Sequence, residues 1–427
     1  MAREVDADVG VAVVDEVDAE LIARLVAHVG AARAADGGWA TAAGRASDVE
    51  SSAWILAGAA SLPVLATHRD AAHNWLLDQQ RENGSWTFRR GPEIATWVTY
   101  PALFALSVAG VSVSARDARD ARDARDARDA RDARDAGNAR ERATAWIANE
   151  HSMTPSWWQR TLARFASQAQ PVNEPPARGR PANSPPDNGP PDTAPPASKA
   201  PPDEPPVVLD ATLDGFGWAR HTFAWVEPTA TAMLALAAQP RTRAIRQRVA
   251  IGARLLLDRQ SADGGWNYGN KRVLGYDLPG YPDTTGWALL GLEAAVRAGA
   301  ATRADVAAAF QRGLAAMSVE RDTAISPLPL ALEMLARRAA RGTTSVQHDE
   351  VVARQPAGKR QQLLAEPLAE LLATALVSAL ANVNAGYPML ETRTAVLALL
   401  ALHDVDLLAL HDIDLPAVIT PTPHASS

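Results

Sequence analysis

Two turns in this 427-residue chain share the spacing Gln-x3-Gly-x-Trp: Gln80-Arg81-Glu82-Asn83-Gly84-Ser85-Trp86 and Gln260-Ser261-Ala262-Asp263-Gly264-Gly265-Trp266. Each follows an apolar stretch of helical period and precedes a second one. Degraded copies stand at Asp36-Gly37-Gly38-Trp39, Pro155-Ser156-Trp157-Trp158, Asp214-Gly215-Phe216-Gly217-Trp218 and Asn384-Ala385-Gly386-Tyr387. A repeat constrains a fold more than any single site does. One such unit cannot bury its own apolar face and must stack on its neighbours. The Gly ends the first helix in a left-handed cap. A Gln at that point can bond backbone groups left free at the next helix's terminus, and the Trp ring is expected to cover the Gln side chain.

The apolar mass is of a helical kind. Hydrophobic residues make up 47% of the chain but aromatic residues only 5%, so most of it is Ala and Leu. These favour helices, and β-branched runs are scarce. The chain is expected to be all-α, with six helical hairpins. Outer helices are expected near residues 18–35, 66–81, 140–150, 255–260, 305–317 and 361–381. Inner, more apolar helices are expected from Asp48, Glu93, Glu227, Asp283, Ser326 and Glu391 onward. Stacked hairpins satisfy an open solenoid and a closed ring alike. Six of them with strongly apolar second helices favour the ring.

Residues 1–16 read as an acidic tail and 17–427 as a single domain carrying three surface insertions. Residues 115–136 hold seven Arg-Asp pairs separated by Ala, with Arg and Asp four apart along a solvated helix or arm. Residues 170–207 are rich in Pro, with repeated Pro-Pro pairs, and cannot pack a core. Residues 342–360 are polar. The net charge of −7 and the lack of a basic stripe with aromatics exclude a nucleic-acid partner. The absence of Cys excludes disulfides and thiolate chemistry. The acidic N-terminus is not a secretory signal, and the apolar run 51–67 contains Gly58 and Pro63 and is too short to span a bilayer. A cytoplasmic protein is expected, with peripheral membrane contact compatible.

The Gln-x3-Gly-x-Trp turns resemble the QW motif of squalene–hopene cyclases, oxidosqualene cyclases and related terpenoid cyclases, whose repeat the protein prenyltransferase β subunits share. The resemblance covers most of residues 18–405 outside the insertions. It implies an α/α toroid with an apolar central cavity. It also implies an apolar isoprenoid or other lipid ligand, and an isomerase-type cyclisation begun by an Asp. Class II cyclases carry Asp-x-Asp-Asp-Thr-Ala at the start of an inner helix. Tyr281-Pro282-Asp283-Thr284-Thr285-Gly286 is the nearest match, with Tyr281 and Thr284 in place of the flanking carboxylates. Asp283 then takes the place of the catalytic acid, which must be a neutral carboxyl group in a dry cavity. Trp54, Trp97 and Trp287 lie on inner helices and could offer their negative faces to a cation. With Glu227 and Tyr281 they are the candidate substrate-contacting residues.

A second reading needs no catalysis. Glu50, Glu93, Glu227, Asp283 and Glu391 recur before their own inner helices, where acids favour the positive helix end and cap free amides. On that reading the toroid binds a lipid or a protein partner. A third reading uses Glu227 and Asp283 as paired carboxylates acting on a carbohydrate. No metal and no cofactor are implied. The zinc ligands of a prenyltransferase include a Cys, which is missing, and no DDxxD-type sequence or phosphate-binding loop occurs. The doublet His403-Asp404 and His411-Asp412 reads as a small tandem duplication.

Overall fold

A computed structural model describes residues 7–89, 91, 94–117, 125–153, 207–320, 326–344, 357–384, 390–403, 405 and 407–408. Glu93, Trp157, residues 170–206, Tyr387, Asp404 and the second half of the His-Asp doublet lie outside them. The described chain is all-α, with twelve α-helices. Among the described residues no helix is long and apolar enough to cross a membrane.

The helices alternate between two kinds. The first kind comprises α1 (Ala7–Ala31), α3 (Arg69–Gln79), α5 (Arg125–Ala148), α7 (Arg243–Asp258), α9 (Arg303–Glu320) and α11 (Ala357–Asn384). The second comprises α2 (Val49–Ser61), α4 (Thr99–Asp117), α6 (Val226–Ala237), α8 (Pro282–Arg297), α10 (Pro327–Thr344) and α12 (Thr392–Leu402). Most of the second kind are apolar nearly all round: α6 buries Pro228 through Leu236 without a break, and α8 buries Thr284 through Ala295, whereas α10 carries Arg337, Arg338 and Arg341 on a partly exposed face. A helix hydrophobic on every face must be packed on every face. The first kind is one-sided. In α7, Ile245, Val249, Leu255 and Leu256 are buried while Arg246 and Arg254 stand in water.

Packing follows one order. α2 lies against α4, α4 against α6, α6 against α8, α8 against α10, α10 against α12, and α12 against α2 again. Each one-sided helix from α3 on packs on the apolar helix that precedes it, and α1 packs on α12. The first and last units are also bonded. Thr392 donates its N–H to the Thr41 carbonyl (2.9 Å) and its hydroxyl to the Ala40 carbonyl (2.6 Å), and His28 Nε2 meets the Leu390 carbonyl (3.0 Å).

Several boundaries differ from those read in the sequence. α1 begins at Ala7, inside the expected tail, because no proline interrupts residues 7–17. α5 takes in residues 125–136 of the Arg-Asp tract as one helix with the expected 140–150 segment, since Ala, Arg and Asp at this spacing support a helix already nucleated downstream. α4 starts at Thr99, not near Glu93, and a 3-10 turn over Pro63–His68 precedes α3, where Pro63 stops α2. A two-stranded hairpin, Arg272–Val273 with Tyr276–Asp277, rises between Trp266 and α8, and Val207 pairs with Val273.

Candidate functional site

The repeat turns explain the landmark residues. In both full turns the Gly has positive φ, 88° at Gly84 and 93° at Gly264. A Cβ on Gly84 would sit 2.5 Å from the Arg142 carbonyl oxygen, and one on Gly264 2.9 Å from that of Arg312, so only glycine fits. Gln80 Nε2 donates to the carbonyls of Gly84 (3.0 Å) and of Ala139 in α5 (2.9 Å). Gln260 does the same to Gly264 (2.7 Å) and to Ala309 in α9 (2.8 Å). The Gln therefore ties its turn to the body of the next outer helix, not to that helix's terminus. Arg142 and Arg312 come back from those helices to the Gln carbonyl oxygens. In the turn at Asp214, which lacks a Gln, Arg248 of α7 makes the return instead, to Asp214 (2.9 Å) and to the Glu150 carbonyl (2.6 Å).

The Trp residues of the turns hold their own units. The Trp86 indole donates to the Leu76 carbonyl (2.8 Å) and that of Trp266 to Leu256 (2.6 Å), so a fully buried indole N–H is satisfied. A hydroxyl in the first turn of the following inner helix clamps the backbone of the turn residue. Ser52 Oγ accepts from the Trp39 N–H (2.9 Å), Thr99 from Trp86 (3.0 Å), Thr229 from Phe216 (3.1 Å) and Thr285 from Trp266 (2.9 Å). Each hydroxyl also faces the carbonyl of the same residue, at 3.3 to 3.4 Å.

The clamp fixes a register for the apolar helices. Two residues before it stand Glu50, Glu227 and Asp283, each the second residue of its helix, and Arg393 is the second residue of α12. These positions converge. Arg393 Nη1 bonds Glu50 Oε1 (2.8 Å) and Glu227 Oε1 (2.8 Å). α12 and α2 are neighbours, but α6 is three steps from α12 in either direction of the packing order, so Arg393 spans the middle. Burial pushes the Glu50 carboxyl up to about 7 against the pull of Arg393, and the charges of Glu227, Asp48 and Glu391 add to the rise. Burial also raises Glu227, again against Arg393, with Asp283 and Glu391 contributing. Burial disfavours the charged Arg393 guanidinium, but Glu50, Glu227 and Glu391 outweigh it and hold its pKa above the usual value.

This corrects the reading of the acids as caps. The cap of α2 is Asp48, whose Oδ1 accepts from the Ser51 N–H (2.7 Å); α6 and α12 have no side-chain cap. Glu50 and Glu227 serve Arg393. α8, whose N-cap is Tyr281, has no side-chain cap either; Asp283 Oδ1 accepts from the N–H (2.8 Å) and hydroxyl (3.3 Å) of the adjacent Thr284 inside the helix. Arg393 was missed because acids were sought, and Glu391 drew attention two residues out of register.

One helical turn deeper the contacts are aromatic. Trp54 lies four residues beyond Glu50, and Trp287 four beyond Asp283. Their ring centroids are 5.7 Å apart, and Phe104 of α4 lies 5.9 Å from Trp54. Trp54, Phe104 and Trp287 are buried. Helices α2 and α8 are three steps apart in the packing order, so these side chains meet across the middle instead of facing an open space between them. The remaining sequence candidates stand just before their helices, so Trp97 is not on α4 as expected. Trp97 meets Trp218 edge to face at 5.1 Å, and Tyr281 lies 5.3 Å from Tyr268 and is exposed. Two cavities lie away from the middle. One of about 380 Å³ is a polar cleft between α3 and α5, lined by Asn74, Asp78, Gln80, Asp135 and Arg142. The other, about 110 Å³, lies between the Gly265 turn, Tyr281 and Met317. Among the described residues no group of three or more His, Cys, Asp or Glu side chains is placed to hold a metal. Neither a scan against protein-family models nor a search of curated proteins gives a match.

Proposed function

We propose that the chain is an α/α toroid of six hairpins that works as a non-catalytic binding scaffold, receiving its partner at the mouth where the inner helices begin. The toroid draws support from the packing order of the apolar helices, which returns to its starting point, and from the bonds between the first and last units. The observation that carries the scaffold reading is the contact between Trp54 and Trp287 across the middle, with Phe104 beside them. Rings in mutual contact leave no gap for a polyprenyl chain between Trp54 and Trp287. The acids above them do not suit cyclisation either. An alkene is a weak base and needs a strong acid to protonate it, whereas burial raises the Glu50 carboxyl to about 7 and so weakens it as an acid. Glu227 is tied to Arg393, and Asp283 to Thr284.

A cyclase-like enzyme is the second reading. Asp283 standing one turn above Trp287 favours it, as does the likeness of the turns to the QW motif. The two readings separate in one assay. Purified protein is incubated with squalene and with shorter polyprenyl substrates, and the extracts are analysed by gas chromatography with mass detection. The scaffold reading expects no cyclised product from wild type. A product lost in Asp283→Asn would overturn it and establish the enzyme.

A further inference from the structure

The mouth is aromatic on one side. Trp97 and Trp218 form one pair just before α4. Tyr268 and Tyr281 form a second, set between α6 and α8 by the bond from the Val226 N–H to the Tyr268 carbonyl and by Tyr281's place at the N-cap of α8. Phe223, five residues after Trp218 in the chain, is exposed as well. Phe223, Tyr268 and Tyr281 are 54%, 53% and 40% exposed. Large rings grouped on one face in this way mark an interaction surface. Tyr and Trp supply broad contact at low entropic cost and dominate the binding energy of protein interfaces.

The interior of the mouth gives that surface a charge. Four carboxylates, Glu50, Glu227, Asp283 and Glu391, share one guanidinium, Arg393, and each acts electrostatically on at least one of the others. Arg393 bonds Glu50 and Glu227, while among the described residues Asp283 bonds its helical neighbour Thr284 and Glu391 is exposed. The unspent charge is negative, and the faces of the flanking rings attract cations. An anionic lipid surface would be repelled here. We propose that the mouth docks a basic segment of another protein, with a lysine or arginine side chain reaching Asp283 and apolar neighbours lying on Phe223, Tyr268 and Tyr281. This partner rests on the scaffold reading and specifies it.

The test uses the full chain and two labelled octapeptides, four Lys-Leu repeats and four Glu-Leu repeats, read by fluorescence anisotropy. The expected result is binding of the basic peptide only, weakening as salt rises. Asp283→Asn and the double variant Tyr268→Ser, Tyr281→Ser should each weaken it at least tenfold with an unchanged melting temperature. Glu82→Gln removes an exposed charge from the Gln80 turn and should leave it unaltered. Equal binding of both peptides, binding of neither, or equal losses in Glu82→Gln and Asp283→Asn would overturn the proposal, as would tighter binding to phosphatidylglycerol vesicles. A cyclised product from squalene would instead overturn the scaffold reading, whatever the peptides do.

Discussion

Ser52, Thr99, Thr229 and Thr285 recur in four units of the chain and clamp the same backbone groups in each. Glu50, Glu227, Asp283 and Arg393 also share one register, and they do different things. Two carboxylates hold a guanidinium, one carboxylate bonds the residue after it, and the guanidinium joins helices that are not neighbours. In α10 the second residue is Leu328, with no charge at all. A repeated position that keeps one job serves the repeat. A repeated position whose copies diverge serves whatever the assembled molecule does once. The clamps and the mouth lie only two residues apart in sequence, so the contrast is between roles and not between regions of different exposure or mobility.

Removing the shared guanidinium should break the mouth most severely. Arg393→Met leaves Glu50 and Glu227 sheltered and unpaired, and is expected to cost about 3 kcal/mol in chemical denaturation at pH 8. A loss no larger than that of an exposed Arg would deny the cluster its place. Gly264→Ala comes next, at about 2 kcal/mol, since its Cβ meets the Arg312 backbone from a positive φ. The clamps should be smaller and alike. Thr229→Val and Thr285→Val are each expected to cost about 1 kcal/mol, the value of one buried hydrogen bond. Unequal costs, with one near zero, would show that the clamps do not do one job.

Titration sharpens the comparison further. Glu50 has a folded pKa of about 7, above its ordinary 4.5. Between those values the folded state holds more protons than the unfolded state, so stability falls as pH rises through that window. The contribution present below about pH 4.5 is lost above about pH 7. Wild type should therefore lose stability between pH 5 and 7.5 in denaturant melts. Glu50→Gln, which carries no titrating group, should show a flatter profile. A wild-type profile that rises through that range, or an equal slope in the variant, would contradict the assignment.

The helices were legible because their signal is periodic and local. The alternation of helices, the Gly84 and Gly264 turns and the apolar character of α6 and α8 can all be read from spacing and composition, but the expected hairpin partners cannot: each one-sided helix packs on the apolar helix before it, not on the one after. Position along the chain also led to Asp283, Glu227, Trp54 and Trp287. What each of them touches was not legible. Trp54 meets Trp287 and Arg393 meets Glu227 across three steps of the packing order, and such pairings leave no local trace in one sequence. The cap of α2 was misplaced for a related reason: Asp48 and Glu50 are both acidic, and only the helix start decides which one caps. The hairpin at 272–277 is too short to show an alternating pattern.

The account turns on a middle filled by side chains from helices that are not neighbours. A double-mutant cycle between Trp54→Leu and Trp287→Leu measures this directly. Two rings in contact across the middle predict a coupling energy of about 1 kcal/mol in urea denaturation. Strictly additive losses would mean that the two rings do not meet, and the middle would then stand open to a ligand.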